Sequence, residues 1–292
     1  MGVFSGFEHI VRDHEPLAQY TWFRLGGAAE YFAEPTSLDE LAALVRRAHE
    51  AEMPVRLLGG GSNILVRDEG TRGLVIHLSA AAFGEISTNG STATAGGGAK
   101  LAHLISTCAR EGLAGLEQLV GIPGTVGGAL HGNAGTDSGD IGQWTESAVV
   151  MLRSGEMVTR SREDLRFRYR ESSLDELVIL TAKFQLERED PQVLTKRMQK
   201  LWIVKKSGQP VGNQNTGCVF KNPDGASAAA LIEQAGLKGF RAGQVEVCGH
   251  NPNFFVASSG ATSREAWDFV QLVAKKVLER TGIELQPQIE IW

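Results

Sequence analysis

The chemistry this chain can perform is written first in backbone rather than in side chains. Leu58-Gly59-Gly60-Gly61-Ser62-Asn63 follows a short apolar run, Val55–Leu58. Three successive glycines let neighbouring N–H groups converge on one concavity, a nest for phosphate oxygens, and Ser62 and Asn63 add side-chain donors. The loop ends in neither GK[ST] nor GxGxxG, so it is neither a P-loop nor a Rossmann fingerprint. Standing alone, it would read as a tight turn between strands. A second loop shifts that balance: Gly121-Ile122-Pro123-Gly124-Thr125-Val126-Gly127-Gly128-Ala129, followed by Asn133-Ala134-Gly135. Its glycines and rigid proline set the loop's shape through the backbone, which suits a flat ring or further phosphate oxygens. Two such loops in one chain point to a bound diphosphate.

Composition narrows the class. Hydrophobic residues make up 42% and charged residues 22% of 292, the texture of a globular protein. Glycine is the outlier, 35 residues, against about 7% in average usage. The net charge is −5 and no run of four Lys/Arg occurs, which argues against a sequence-independent grip on nucleic acid. Met1–Glu15 carries Glu8, Arg12, Asp13, His14 and Glu15 and so lacks the apolar run of a signal peptide. The longest uncharged stretch, Gln118–Thr136, holds six glycines and a proline and would make a poor membrane helix. Cys108, Cys218 and Cys248 form no CxxC pair and leave one odd, which suits a reducing compartment. A soluble cytoplasmic protein with no metal, membrane or nucleic-acid partner is expected. Oligomeric state is left open, a monomer being compatible with the sequence.

The elements that must position the loops follow from periodicity. A helix is expected over residues 37–53, with a Ser37/Glu40 capping box, and a second over Ala99–Glu111 ending at Gly112. Strands are expected near Ala148–Leu152, Met157–Arg160 and Leu177–Leu186. The charged, proline-containing stretch Arg188–Gln192 reads as a domain boundary, followed by a basic helix, Val193–Lys206, and a turn-rich segment, Ser207–Asn215. Beyond lie a helix near Ala226–Ala235, strands near Gln244–Val247 and Phe254–Ala257, a helix at Ser263–Arg280 capped by Gly282, and a terminal strand, Ile283–Ile291. Strands and helices interleave without a regular βα period, so the class is α+β.

Six blocks, in order along nearly the whole chain, carry a family resemblance: TWFRLGG at Thr21–Gly27, LGGGSNILVRD at Leu58–Asp68, GIPGTVGGALHGNAG at Gly121–Gly135, FRYRES at Phe167–Ser172, QPVGNQNTGCVFKNP at Gln209–Pro223, and LIEQAGLKG at Leu231–Gly239. Together they resemble the UDP-N-acetylenolpyruvoylglucosamine reductases, the MurB family of peptidoglycan synthesis. The resemblance implies a p-cresol-methylhydroxylase-type FAD-binding domain over residues 1–190, in two lobes meeting near 80. It also implies a substrate domain over 191–292 whose last strand packs back on the first lobe. NADPH would reduce FAD, and the flavin would reduce the enolpyruvyl ether of a UDP-sugar to the lactyl ether, in the cytoplasm, serving cell-wall growth and division. FAD would be held by Gly59, Gly60, Gly61, Ser62, Asn63, Gly121, Ile122, Pro123, Gly124, Gly127, Gly128, Asn133, Ala134 and Gly135.

Reducing a conjugated enol ether requires hydride at one carbon, stabilisation of the enolate and a proton at the neighbouring carbon. By resemblance Cys218 is the proton donor, and a thiol, with an ordinary pKa of about 8.5, remains protonated near neutrality. Cys108 and Cys248 read as small buried hydrophobes. Arg170 matches the family's catalytic arginine, a fixed fork for a carboxylate or enolate. Arg168, two residues earlier, would share its face on a strand. Lys206 and Asn222 occupy substrate positions. Two departures stand out. Gln288 replaces a glutamate, and an amide donates a hydrogen bond but exchanges no proton. Glu290, about 7 Å further along a regular strand, is the possible substitute. Asn251-Pro252-Asn253-Phe254 replaces a histidine-containing stretch, with His250 one position early. Arg170 and Cys218 are 48 positions apart, which resembles the shorter subgroup lacking an extra tyrosine loop. Two other readings remain open: a different FAD oxidoreductase with His131 placed for covalent flavin, or a flavin- and nucleotide-sugar-binding protein impaired by Gln288.

Overall fold

The computed structural model describes residues 2–208 and 215–292. Most of the turn-rich stretch expected at Ser207–Asn215, and the first six residues of the QPVGNQNTGCVFKNP block, therefore lie outside the described residues. By contacts the chain divides into two compact units. The first comprises Met1–His14, Glu30–Gly60 and Arg72–Lys206, and the second Glu15–Ala29, Gly61–Thr71 and Ser207–Trp292.

Helix α1 (Leu38–Glu50) begins at Ser37, whose Oγ accepts the Glu40 N–H. It buries Leu41, Leu44, Val45 and Ala48 in a cluster with Ala33, Leu74 and Ile76. Burying each of the three larger side chains is worth about 1.5–3 kcal/mol. Val11–Pro16, Ala28–Ala33, Thr71–His77 and Val55–Leu58 form, in that order, a four-stranded sheet. Its last two strands pair in parallel, Val55 with Leu74 through Leu58 with His77, and this delivers the chain into Gly59.

A five-stranded antiparallel sheet runs Met157–Ser161, Thr145–Met151, Val178–Gln185, Thr92–Gly96, Ile86–Asn89. Helices α2 (Leu101–Arg110) and α3 (Val126–His131) share its core, contributing Leu101, Leu104, Ile105, Cys108, Val126, Ala129 and Leu130. Helix α4 (Pro191–Ser207) belongs with this unit, because Leu194 packs on Ala109 and Ala114, and Met198 and Leu201 join the same side. Contacts thus divide the chain after Lys206, where the sequence reading set the division near 190. Glu187–Arg188 pairs with Leu113–Ala114, and Asp190 Oδ1 accepts the Gln192 N–H as α4 begins.

The second unit contains an antiparallel sheet in the order Asn215–Cys218, Phe254–Ala257, Val245–Val247, Arg241–Ala242. Helices α5 (Ala228–Gln234) and α6 (Ser263–Thr281) bury Leu231, Ile232, Phe269, Val270, Val273 and Val277 with Phe23, Leu25 and Leu65. Thr262 and Glu265 form a reciprocal capping box, and Gly282 ends α6 in the left-handed region at φ 75°. The strand expected over Ile283–Ile291 shrinks to Glu290–Ile291, which pairs in parallel with Ile64–Leu65. Pro287 has no N–H to extend the ladder and makes an isolated bridge to Phe220. Antiparallel pairing dominates, and the class is α+β.

Candidate functional site

The two glycine-rich loops meet backbone to backbone in the first unit. A Cβ on Gly60 would lie 2.7 Å from Gly124 Cα, and Gly124 itself holds φ 105°. Such an approach excludes side chains and exposes amides. Among the described residues the N–H groups of Gly60, Gly61 and Gly124 meet no protein acceptor. Thr125 lies beside Gly59 and caps α3, its Oγ1 accepting the Gly128 N–H at 3.3 Å, so Gly127 and Gly128 form the helix's first turn. Ile122 and Ala134 pack against the core beneath, while Gly135 pairs with Asp140 in a short hairpin. A ligand that fits this cradle is thin and carries oxygens to meet the unpaired amides, as the diphosphate of FAD does.

Two side chains of the loops are spent on the protein itself. Asn133, 2% exposed at φ 40°, accepts the Gly142 N–H through Oδ1 and donates from Nδ2 to the Arg168 carbonyl at 2.8 Å. Asn63 Nδ2 donates to the Gln288 carbonyl at 2.9 Å, and the Asn63 carbonyl accepts the Glu290 N–H. Both asparagines therefore position other segments.

The Asn133 bond fixes a tight hairpin in which Phe167–Arg168 pairs with Glu171–Ser172. Tyr169 and Arg170 form its two-residue turn, with Arg170 at φ 58°. The expectation of a strand carrying Arg168 and Arg170 on one face is thus overturned, because the chain reverses between them. A non-glycine residue in the left-handed region is strained by about 1 kcal/mol or more. Arg170 Nε is buried without a hydrogen-bond partner, and its guanidinium carbon lies 5.4 Å from the Tyr169 ring. His131 turns its Nδ1 to the Leu174 carbonyl at 3.0 Å.

The paired lysines at the end of α4 point to different surroundings. Lys206 is exposed, its ammonium 4.5 Å from the Trp202 ring centroid. Lys205 turns inward, its Nζ donating to the Gln118 carbonyl at 3.0 Å. Burial, reinforced by the Arg170 charge, pushes Lys205 down to about 8. Sequence reading named Lys206 and passed over Lys205, since adjacency hides which of two lysines faces inward.

In the second unit Cys218 ends its strand, half-buried, opposite Phe254. Its carbonyl accepts from Gln288 Nε2 at 2.9 Å, while the Gln288 N–H bonds the Val219 carbonyl. The Glu290 side chain is exposed on the strand beyond. Asn222 Oδ1 accepts the Ala228 N–H at the start of α5. Asn253, to which the sequence reading gave no role, is 4% exposed and grips Phe220 like a paired strand, Oδ1 accepting its N–H and Nδ2 donating to its carbonyl, each at 2.9 Å. Asn251 Oδ1 accepts the Asn253 N–H, and Cys248 Sγ accepts the His250 N–H. Asp68 closes α6, its carboxylate accepting the Ser263 and Arg264 N–H groups. Burial pushes the Asp68 carboxyl up, but those amide bonds outweigh it and hold it below the ordinary carboxylate range. Burial pushes Cys108 up to about 12, a packing thiol rather than a reactive one. Among the described residues no three His, Cys, Asp or Glu side chains gather to hold a metal ion, and no helix is long and apolar enough to cross a membrane.

Fold and cradle together define a p-cresol-methylhydroxylase-type flavoprotein, an FAD-dependent oxidoreductase. Residues 29–161 match the FAD binding domain family. The fold is shared with 6-hydroxy-D-nicotine oxidase of Arthrobacter nicotinovorans, at a TM-score of 0.59 and 13% identity over 98% of this chain and 87% of that one. Residues 209–292 match the C-terminal domain of UDP-N-acetylenolpyruvoylglucosamine reductase. The reductase of Rhodopirellula baltica is 40% identical over 97% of this chain and 93% of its own length, and that of Rubrobacter xylanophilus 40% identical over 95% and 93%. The crystal structure of the Thermus caldophilus reductase superposes at a TM-score of 0.82 with 33% identity, covering 97% of this chain and 99% of that one. The chain belongs to the UDP-N-acetylenolpyruvoylglucosamine reductase family.

Proposed function

We propose that this chain reduces UDP-N-acetylglucosamine enolpyruvate to UDP-N-acetylmuramate for peptidoglycan synthesis. The observation that carries the reading is the whole-length identity of 40% to reductases that have both an FAD-binding part and the family's C-terminal domain. FAD, reduced by NADPH, supplies the hydride.

The chain's own residues supply the rest. Gly59, Gly60, Gly61, Ser62, Gly121, Ile122, Pro123, Gly124, Gly127, Gly128, Ala134 and Gly135 shape the flavin cradle, and Asn63 and Asn133 brace it. Arg170 holds the substrate carboxylate and the negative charge that grows on it during reduction. An arginine suits that task because it stays charged at any working pH and presents a planar fork. Its unsatisfied Nε is a donor awaiting an acceptor. Cys218 gives its thiol proton to the carbon next to the one that takes hydride. Gln288 fixes the Cys218 carbonyl rather than exchanging a proton, and Glu290 remains the candidate for any acid–base role on that strand. Asn222 and Lys206 serve the nucleotide end of the substrate. Residues 1–190 are assigned to the flavin and 191–292 to the substrate, with the lysines of α4 acting from the first unit. Nucleotide-sugar chemistry and three cysteines that form no CxxC pair support work in the cytoplasm, and a monomer suffices for it.

The visible spectrum of the purified protein tests the reading. A yellow preparation is expected, bleached by NADPH and recoloured by the enolpyruvyl sugar with UDP-N-acetylmuramate formed. A colourless protein that ignores added FAD would overturn it. Gln288 favours a second reading, a binding protein with impaired turnover. Low turnover restored by Gln288→Glu would support that alternative, and normal turnover would dismiss it.

A further inference from the structure

We propose that Ser172 and His131 are positioning residues for Arg170, a clasp that ties the arginine's hairpin to the far end of the helix leaving the flavin cradle. The inference rests on the role given to Arg170 in the function just proposed and adds two residues to it.

The hairpin does not hold Arg170 by itself. It has two residue pairs, Phe167 with Ser172 and Arg168 with Glu171, and an isolated two-stranded ribbon is marginal in water. Of its two turn residues Arg170 alone has a positive φ, so the turn is neither of the primed types whose twist suits a hairpin. The support comes from one short stretch, residues 131–133. The Ser172 hydroxyl donates to the His131 carbonyl at 2.9 Å and accepts the Leu174 N–H at 3.2 Å. That carbonyl belongs to the last turn of α3, where a helix leaves its acceptors without intrahelical donors. In return His131 Nδ1 meets the Leu174 carbonyl at 3.0 Å, and because a carbonyl only accepts, Nδ1 carries the proton. Leu174 lies in the same buried core as Val126, Ala129 and Leu130 of α3, which anchors the clasp. Asn133 holds the other strand through the Arg168 carbonyl.

Helix α3 gives this arrangement its consequence. Gly127 and Gly128 of the cradle lie in its first turn, and His131 is its last residue. Six helical residues span about 9 Å. Cradle and arginine hairpin are therefore mounted at two ends of one short, core-packed rod. The clasp sets where the guanidinium stands relative to the flavin, and a misplacement of about 1 Å costs on the order of a hundredfold in rate.

The test is a double-mutant cycle. Titration calorimetry follows the enolpyruvyl sugar binding to oxidised holoenzyme, and stopped-flow absorbance follows reoxidation of the reduced flavin by the sugar. Wild type, Ser172→Val, Arg170→Ala and the double variant are compared. Ser172→Val should weaken binding about tenfold beside Arg170 and under about twofold in the Arg170→Ala background. Ser172→Thr, the same shape with its hydroxyl kept, should bind as the wild type does. If Ser172→Val does not fold, His131→Leu runs the same cycle, with His131→Asn, which keeps a donor, as its rescue. An equal loss in both backgrounds overturns the proposal, because a general structural fault takes no account of Arg170. Threonine and valine variants that match each other overturn it too, as does a loss cured by reloading FAD. A wild type that binds no enolpyruvyl sugar overturns the proposed function as well, and an Arg170→Ala protein that binds and turns over normally removes the role given to Arg170. A Ser172→Val protein that matches a binding wild type overturns the clasp alone.

Discussion

Asn253→Ala removes two hydrogen bonds at once from the backbone of Phe220, two residues beyond Cys218. Both bonds are 2.9 Å long and Asn253 is 4% exposed, so water cannot readily replace them. Each buried backbone group left unpaired costs about 1–3 kcal/mol, which gives a loss of roughly 2–6 kcal/mol against a total stability of about 5–15 kcal/mol. Urea unfolding of the holoprotein measures it. Asn253→Asp refines the test. The carboxylate keeps the acceptor for the Phe220 N–H but turns a lone pair toward the Phe220 carbonyl, so the folded state favours the protonated acid. Its folded pKa then lies above the unfolded value of about 3.9. The penalty is therefore full above the raised folded pKa and relieved as pH falls through it. The stability gap to wild type should narrow between pH 8 and pH 5. Turnover should fall in both variants while reduction of the flavin by NADPH persists. A loss under 1 kcal/mol for Asn253→Ala, or a pH-independent gap for Asn253→Asp, would refute the clamp.

Gly60→Ala should abolish stable FAD binding, since the new Cβ would meet Gly124 Cα at 2.7 Å; a normal flavin-to-protein absorbance ratio would contradict that. Cys218→Ala should keep NADPH-driven bleaching and lose product, whereas Cys218→Ser should retain turnover, both read by stopped-flow absorbance. Asp68→Asn should cost about 1 kcal/mol at pH 7 through the weakened cap of α6. Because the folded pKa of Asp68 is lowered, its contribution is full above the unfolded value of about 3.9 and fades as pH falls through the folded one. Melts of wild type and Asp68→Asn should thus converge as the pH falls below the unfolded carboxyl value of about 3.9.

Helices α1, α2 and α6 were legible because their ends carry their own punctuation, whereas α3 lay hidden inside what reads as a glycine loop. Ser37, Gly112 and Gly282 mark ends that the sequence displays and the backbone obeys. The glycine loops were legible for a similar reason, since so dense a run of residues without side chains has few structural uses. What resisted reading depends on long-range contact. Tyr169-Arg170 carries no glycine or proline to announce a turn, and Arg170 is held at φ 58° in a hairpin tied down by Asn133 from 35 positions away. The end of α4 presents two adjacent lysines, and packing on Gly121 together with the bond to the Gln118 carbonyl distinguishes Lys205. The stretch at 188–192 reads as a domain boundary because helix starts and boundaries draw on the same charged, proline-containing vocabulary. Asn253 was hidden because a buried asparagine mimicking a strand partner has no local pattern.

The second unit is assembled from three separated stretches of chain, Glu15–Ala29, Gly61–Thr71 and Ser207–Trp292. Arg67 N–H bonds the Trp292 carbonyl, Trp292 N–H bonds the Leu65 carbonyl, and Asp68 waits for the start of α6. During synthesis the early stretches therefore emerge long before their partners. Loop closure across some 200 residues makes their pairing slow and sets the last two residues as the latch. Expressing 209–292 by itself should leave the apolar faces of α5 and α6 without Phe23, Leu25 and Leu65 and yield an aggregating fragment rather than an autonomous module.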